Sequence, residues 1–154
     1  MTSYLLTSAA ILGGEPTDLL LADGVIAAVG PDAARLAGER DDVVTVEADG
    51  LVALPGLVDF HVHLREPGRE DAETVETGTR AAALGGFTAV FPLANTDPVA
   101  DTAGVVEQVL RLGQDAGWVD VHPVGAVSVG RKGEHLAELG AMAASAARVR
   151  AFSD

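Results

Sequence analysis

The sequence predicts an α/β fold, in which a small β unit is followed by a parallel sheet built from βα repeats. Three observations lead there. Residues 1–54 carry short apolar or β-branched runs separated by turn residues. After Pro55-Gly56 such runs alternate with helix-length segments that stop at glycine. The chain is 48% apolar and 21% charged, a balance that can fill a core.

In the first part, strands are expected over residues 4–7, 18–21, 25–29, 43–46 and 51–54. Asp23-Gly24 joins two of them as a hairpin signal. Gly13-Gly14, Gly30-Pro31 and Asp49-Gly50 mark the other turns. Residues 32–40 read as a short helix or a loop. A unit of at most five strands buries little by itself, so it is expected to pack against something else.

The second part predicts a strand over 56–64, a helix over 71–83 and a strand over 87–93. A helix over 102–116 follows, with Thr102 as N-cap and Gly117 behind it. Residues 119–127 read as a strand broken by Pro123, 134–145 as a helix and 149–152 as the start of another strand. This β-α-β-α-β-α-β order implies a parallel sheet. Both a doubly wound sheet and a βα barrel satisfy it. No G-x-G-x-x-G follows the first strand, which removes the best argument for a dinucleotide fold. A barrel needs eight units and usually about 250 residues. On that reading the sequence holds three units and the start of a fourth, and is a partial one.

Charge and composition exclude several functions. Lys and Arg number 10 against 23 Asp and Glu, a formal net charge of −13. Such a field repels nucleic acid and anionic membrane surfaces. Cysteine is absent, so any metal must be held by His, Asp or Glu. The first ten residues lack the basic stretch of a signal peptide, and no apolar run approaches a membrane span. A cytoplasmic protein is the expectation.

The chemistry concentrates at Asp59-Phe60-His61-Val62-His63-Leu64-Arg65. Residues two apart on a strand share a side, so His61 and His63 present two imidazoles together at a strand end. Neutral imidazole is a strong ligand for zinc and similar ions. A hydrogen-bonded or surface histidine pair is the ordinary alternative for so short a motif. His122, before a proline, reads as a packed, hydrogen-bonded histidine, and His135 as a solvated one. Trp118 and Phe91 read as core. Gly130-Arg131-Lys132-Gly133 reads as a loop without an assigned role.

The wider run from Leu54-Pro55-Gly56 to His61-Val62-His63 resembles the signature of the amidohydrolase superfamily, in which a small β domain leads through Pro-Gly into the first barrel strand. Leu64-Arg65-Glu66-Pro67-Gly68 resembles the dihydroorotase form of it. So do Gly85-Gly86-Phe87-Thr88 and Asn95-Thr96-Asp97-Pro98 around the second strand, Pro123-Val124-Gly125-Ala126 in the third and Ala151-Phe152-Ser153-Asp154 in the fourth.

The resemblance implies a (β/α)8 TIM-type barrel of the metal-dependent hydrolases, truncated here after about four strands. Residues 1–54 would be a small β domain, the N-terminal part of a composite sandwich, and 55–154 the first half of the barrel. It implies one or two divalent ions, zinc by expectation, with His61, His63 and Asp154 as ligands. Arg65 and Asn95 would hold the substrate carboxylate, for which a guanidinium fork and an amide are chemically suited. The reaction implied is the reversible cyclisation of N-carbamoyl-L-aspartate to L-dihydroorotate in pyrimidine biosynthesis. The general base and further ligands belong to later strands, so no catalytic base is expected in this chain and the isolated 154 residues are expected to be inactive and poorly soluble. A homo-oligomer is expected for the complete enzyme, with aspartate transcarbamoylase as a possible partner. The alternatives are an allantoinase or hydantoinase, and a non-catalytic partner of aspartate transcarbamoylase.

Overall fold

The computed structural model describes residues 2–154. The chain divides into two compact units, Met1–Pro55 and Gly56–Asp154.

The first unit is a five-stranded sheet with one helix. Strands β1 (Ser3–Ile11), β2 (Pro16–Ala22), β3 (Val25–Val29), β4 (Val43–Glu47) and β5 (Val52–Ala53) fall on the runs expected from sequence. The order is β3-β2-β1-β4, with β5 also paired to β1. Asp23 and Gly24 both take positive φ, 53° and 78°, as a tight two-residue hairpin turn requires. Of the stretch 32–40, helix α1 (Pro31–Ala37), entered through a proline in its first turn, takes the part up to Ala37, and residues 38–40 form a turn and loop. It buries Ala33 and Ala37 beside Leu5, Leu20 and Ala22.

The second unit carries a parallel three-stranded sheet, β6 (Leu57–Val62), β7 (Phe87–Pro92) and β8 (Asp120–Val121), in the order β6-β7-β8. Between them run α2 (Val75–Leu84) and α3 (Ala103–Ala116). Val75, Val90, Val109 and Val121 bury together with Leu64, which packs the two helices onto the sheet. Gly113 permits this, because a Cβ there would lie 2.5 Å from the Cβ of Val121. A second core gathers Val106, Ala126, Met142 and Val149 around α4 (Leu139–Ala144).

Four expectations change. The helix expected from residue 71 begins at Val75, because Thr74 and Thr77 exchange a capping box there. The strand expected over 119–127 narrows to β8, although its backbone goes on bonding past Pro123, with Val124 N–H donating to Pro92 C=O at 3.0 Å. The helix expected from 134 starts at Leu139, since Ala137 N–H donates to Val127 C=O and Ser128 bridges Leu136. The strand expected over 149–152 is reduced to one parallel bridge, Gly125 to Phe152. No helix among the described residues is long and apolar enough to cross a membrane.

Candidate metal centre

The carboxyl ends of the parallel strands converge on a cavity of about 110 Å³ lined by His61, His63, Leu93, Ala94, Asn95, Arg131, Ser153 and Asp154. His61 is the penultimate residue of β6, with its N–H donating to Asp59 Oδ1 at 2.9 Å. His63 lies one residue past the strand. Their rings meet edge to face, with centroids 5.3 Å apart. The two imidazoles are therefore neighbours, as the spacing predicts.

Asn95 enters from the turn after β7. Its Oδ1 lies 2.9 Å from His63 Nδ1. A carbonyl oxygen can only accept, so the proton belongs on Nδ1 and the lone pair of His63 is left on Nε2. This is the orienting contact that ligand histidines usually make.

The exits of β6 and β7 are tied together. Asp97 N–H donates to Pro67 C=O at 3.0 Å. Gly68, at φ 105°, packs so closely that a Cβ would come within 2.5 Å of the Cβ of Asp97. Glu66 turns its carboxylate onto the first turn of α2, accepting from Val75 N–H at 2.7 Å. Arg65 is exposed at φ 64° and is not among the residues lining the cavity.

Asp154 is held by the segment after β8. Its Oδ1 accepts from the N–H groups of Val127 (2.9 Å) and Ser128 (3.1 Å), and its Oδ2 from the Ser128 hydroxyl at 2.5 Å. The Ser128 hydroxyl above all, then its N–H, that of Val127 and the charge of Arg131, hold the Asp154 carboxyl below the usual carboxylate range.

The cavity thus brings together His61, His63, Asn95 and Asp154, and leaves Arg65 outside its lining. Ser128 and Arg131 are contributors that the sequence reading did not single out. Among the described residues, no three His, Asp or Glu side chains converge tightly enough to enclose an ion. The donor set still fits a zinc-type ion in part, with two imidazoles and one ionised carboxylate on a shared cavity. Three aromatic residues depart from expectation. His122 is exposed and its ring lies tilted against Phe91, with centroids 5.0 Å apart. Phe91 is half-buried and stacks on the exposed Phe60, at 4.6 Å. Trp118 is 49% exposed, with its indole N–H donating to Glu76.

The description "Dihydro-orotase-like" belongs to the family whose model matches residues 50–153. The chain belongs to the dihydro-orotase-like family. The Streptomyces coelicolor dihydroorotase is 63% identical over 154 residues, which is 100% of this chain and 35% of that protein. The Mycobacterium tuberculosis dihydroorotase is 57% identical over 141 residues, 92% of this chain and 32% of that protein. This dihydro-orotase-like chain therefore spans about a third of the length of the curated relatives it matches. Among solved structures, the L-hydantoinase of Arthrobacter aurescens matches with a TM-score of 0.66 at 23% identity, over 83% of this chain and 28% of that one. A dihydroorotase crystal structure matches with a TM-score of 0.55 at 22% identity, over 84% and 32%. These likenesses show that it shares its α/β fold with parts of those two structures.

Proposed function

We propose that the protein carrying this chain is a dihydroorotase, interconverting N-carbamoyl-L-aspartate and L-dihydroorotate. The observation that carries the reading is the cavity in which His61, His63, Asn95 and Asp154 meet, within a chain so similar to named dihydroorotases. His61 and His63 would hold a divalent ion, zinc by preference, with Asp154 beside them. Such an ion, when bound, supplies Lewis acidity toward an amide carbonyl and makes water a nucleophile near neutral pH. Asn95 keeps the Nε2 lone pair of His63 turned to the ion by accepting its Nδ1 proton. The Asn95 amide NH2, free of that bond, and the Arg65 guanidinium would receive the substrate carboxylate, Arg65 by swinging in from its exposed position. Ser128 keeps Asp154 ionised and in place. The proton-shuttling base and the remaining ligands would come from positions matching the two-thirds of the relatives that this chain does not cover.

The same reading takes residues 1–54 as a small β domain and 55–154 as the first half of a (β/α)8 barrel. Two features support the barrel. The parallel strands add in sequence order, and the parallel bridge of Gly125 to Phe152 begins a third pairing, toward a fourth strand. The reading extends to a cytoplasmic homo-oligomer, with aspartate transcarbamoylase as a partner to be tested by co-elution.

Steady-state assay of the intact protein on dihydroorotate, hydantoin and allantoin tests the assignment. Turnover of dihydroorotate in preference to the other two is expected. Turnover of hydantoin or allantoin alone would replace it with another cyclic amidohydrolase, and no turnover with metal bound would favour a non-catalytic role.

A further inference from the structure

Strand β6 changes face just before the cavity. Asp59 pairs with Val90 of β7, and Val62 pairs with Pro92. Phe60 and His61 therefore stand opposite the single residue Phe91, which makes a β-bulge. Pairing resumes beyond it, with Leu93 N–H donating to Val62 C=O at 3.0 Å.

The side chains report the same change. Phe60 stacks on Phe91, whereas Val62 packs against the core that holds Val75, Val90 and Val109. Residues two apart on an unbroken strand share a face, and Phe60 and Val62 do not. Leu93, two residues after Phe91, lines the cavity together with His61 and His63. The bulge thus lets Phe60 and both imidazoles lie on one side of the sheet. With unbroken alternation and Phe60 where it is, His61 and His63 would turn toward the core under the helices.

A bulged residue drops out of the ladder, and its N–H needs another acceptor. Asp59 supplies one, its Oδ1 accepting from His61 N–H at 2.9 Å. Asp59 is not itself among the residues lining the cavity. Asn95 orients His63 through its ring, whereas Asp59 sets His61 through its backbone.

We propose that Asp59 is a positioning residue for the metal centre, which holds the bulge at Phe60 and His61 and so turns both histidines into the cavity. This rests on the reading of His61 and His63 as metal ligands. Asp59 acts through the backbone and touches neither the ion nor the substrate.

The test uses the intact protein, with zinc and cobalt(II) as probes. Chelator competition gives the zinc affinity, and the absorption spectrum of the cobalt-loaded protein reports the ligand geometry. Asp59→Ala removes the acceptor, and Asp59→Asn keeps an oxygen in its place. Asp59→Ala is expected to lower zinc affinity by about ten- to a hundredfold, as loss of a contact behind a ligand does, and to change the cobalt spectrum. Asp59→Asn is expected to stay within about threefold of the wild type and to keep its spectrum. Asp59→Val, whose branched side chain favours a strand, takes the place of the alanine variant if that one does not fold. An acceptor-free variant that melts lower yet keeps the wild-type zinc affinity and cobalt spectrum would make Asp59 merely structural and overturn the proposal. So would an asparagine variant as weak as the alanine one. A wild type that binds neither ion overturns the metal reading of His61 and His63, and this role with it.

Discussion

At the residue scale, the contact between His63 and Asn95 makes the most direct prediction. Removing the acceptor with Asn95→Ala frees the His63 ring to rotate and to change tautomer. Zinc affinity of the intact protein, measured by chelator competition, should then fall by about ten- to a hundredfold. Asn95→Asp keeps an acceptor and should lose much less; equal affinity in all three proteins would show that the contact does not matter. Asp154 predicts a pH dependence. Its folded-state value is lowered, so its tie to Ser128 stabilises the folded form above the unfolded value near about 3.9. That contribution is lost as pH falls through the lowered value. In the metal-free protein the Ser128 amide resonance should report this titration, and Ser128→Ala should shift it upward. The paired histidines were legible because strand periodicity puts residues 61 and 63 side by side. Ser128 was not, since a lone serine in an apolar run carries no motif and its carboxylate partner lies 26 residues away. Arg131 was hidden for a related reason, as its place in the wall depends on a backbone conformation that arginine rarely adopts.

At the scale of elements, helix α2 begins where side chains supply what its backbone lacks. Thr74 Oγ1 accepts from Thr77 N–H at 3.1 Å, Thr77 Oγ1 returns the bond, and Glu66 takes the N–H of Val75. Thr74→Ala should cost about 1 kcal/mol of stability, read from denaturant unfolding of the intact protein. Gly113→Ala drives a methyl toward Val121 and should destabilise by about 1–3 kcal/mol through overpacking. A melting temperature unchanged by G113A would mean that α3 and β8 can separate at little cost. Most helices and strands were legible from apolar period and glycine stops. Those that were not are short because their backbone bonds elsewhere. The stretch 135–137 pairs with 127–129 before a helix can start, and such long-range pairing leaves no local trace in composition.

At the scale of the whole molecule, the row Phe60–Phe91–His122 across the three parallel strands is the feature to explain. Phe60 is 69% exposed and Leu57 51%. Apolar groups so placed, on strands at the limits of a small sheet, favour association with other chains. On the barrel reading the Phe60–Phe91–His122 row faces the interior. The isolated 154-residue chain is therefore expected to aggregate and to show no turnover of dihydroorotate. Light scattering and assay of the chain beside the intact protein would check both, and measurable turnover by the chain alone would sink the expectation. The sequence led to the α/β class through its βα rhythm and to the family through several short motifs in order. The solvent exposure of His122 and Trp118 was not legible, since a side chain's burial depends on what covers it.

The hydrogen bond from Asp97 to Pro67, with Gly68 pressed against Asp97, has a consequence for engineering. The segment bearing Arg65 and the segment bearing Asn95 are fitted to each other before either meets a ligand. A loop transplanted from a relative into one position would meet an unmatched surface in the other. Residues 65–68 and 95–98 thus form a single cassette, to be exchanged together or left alone.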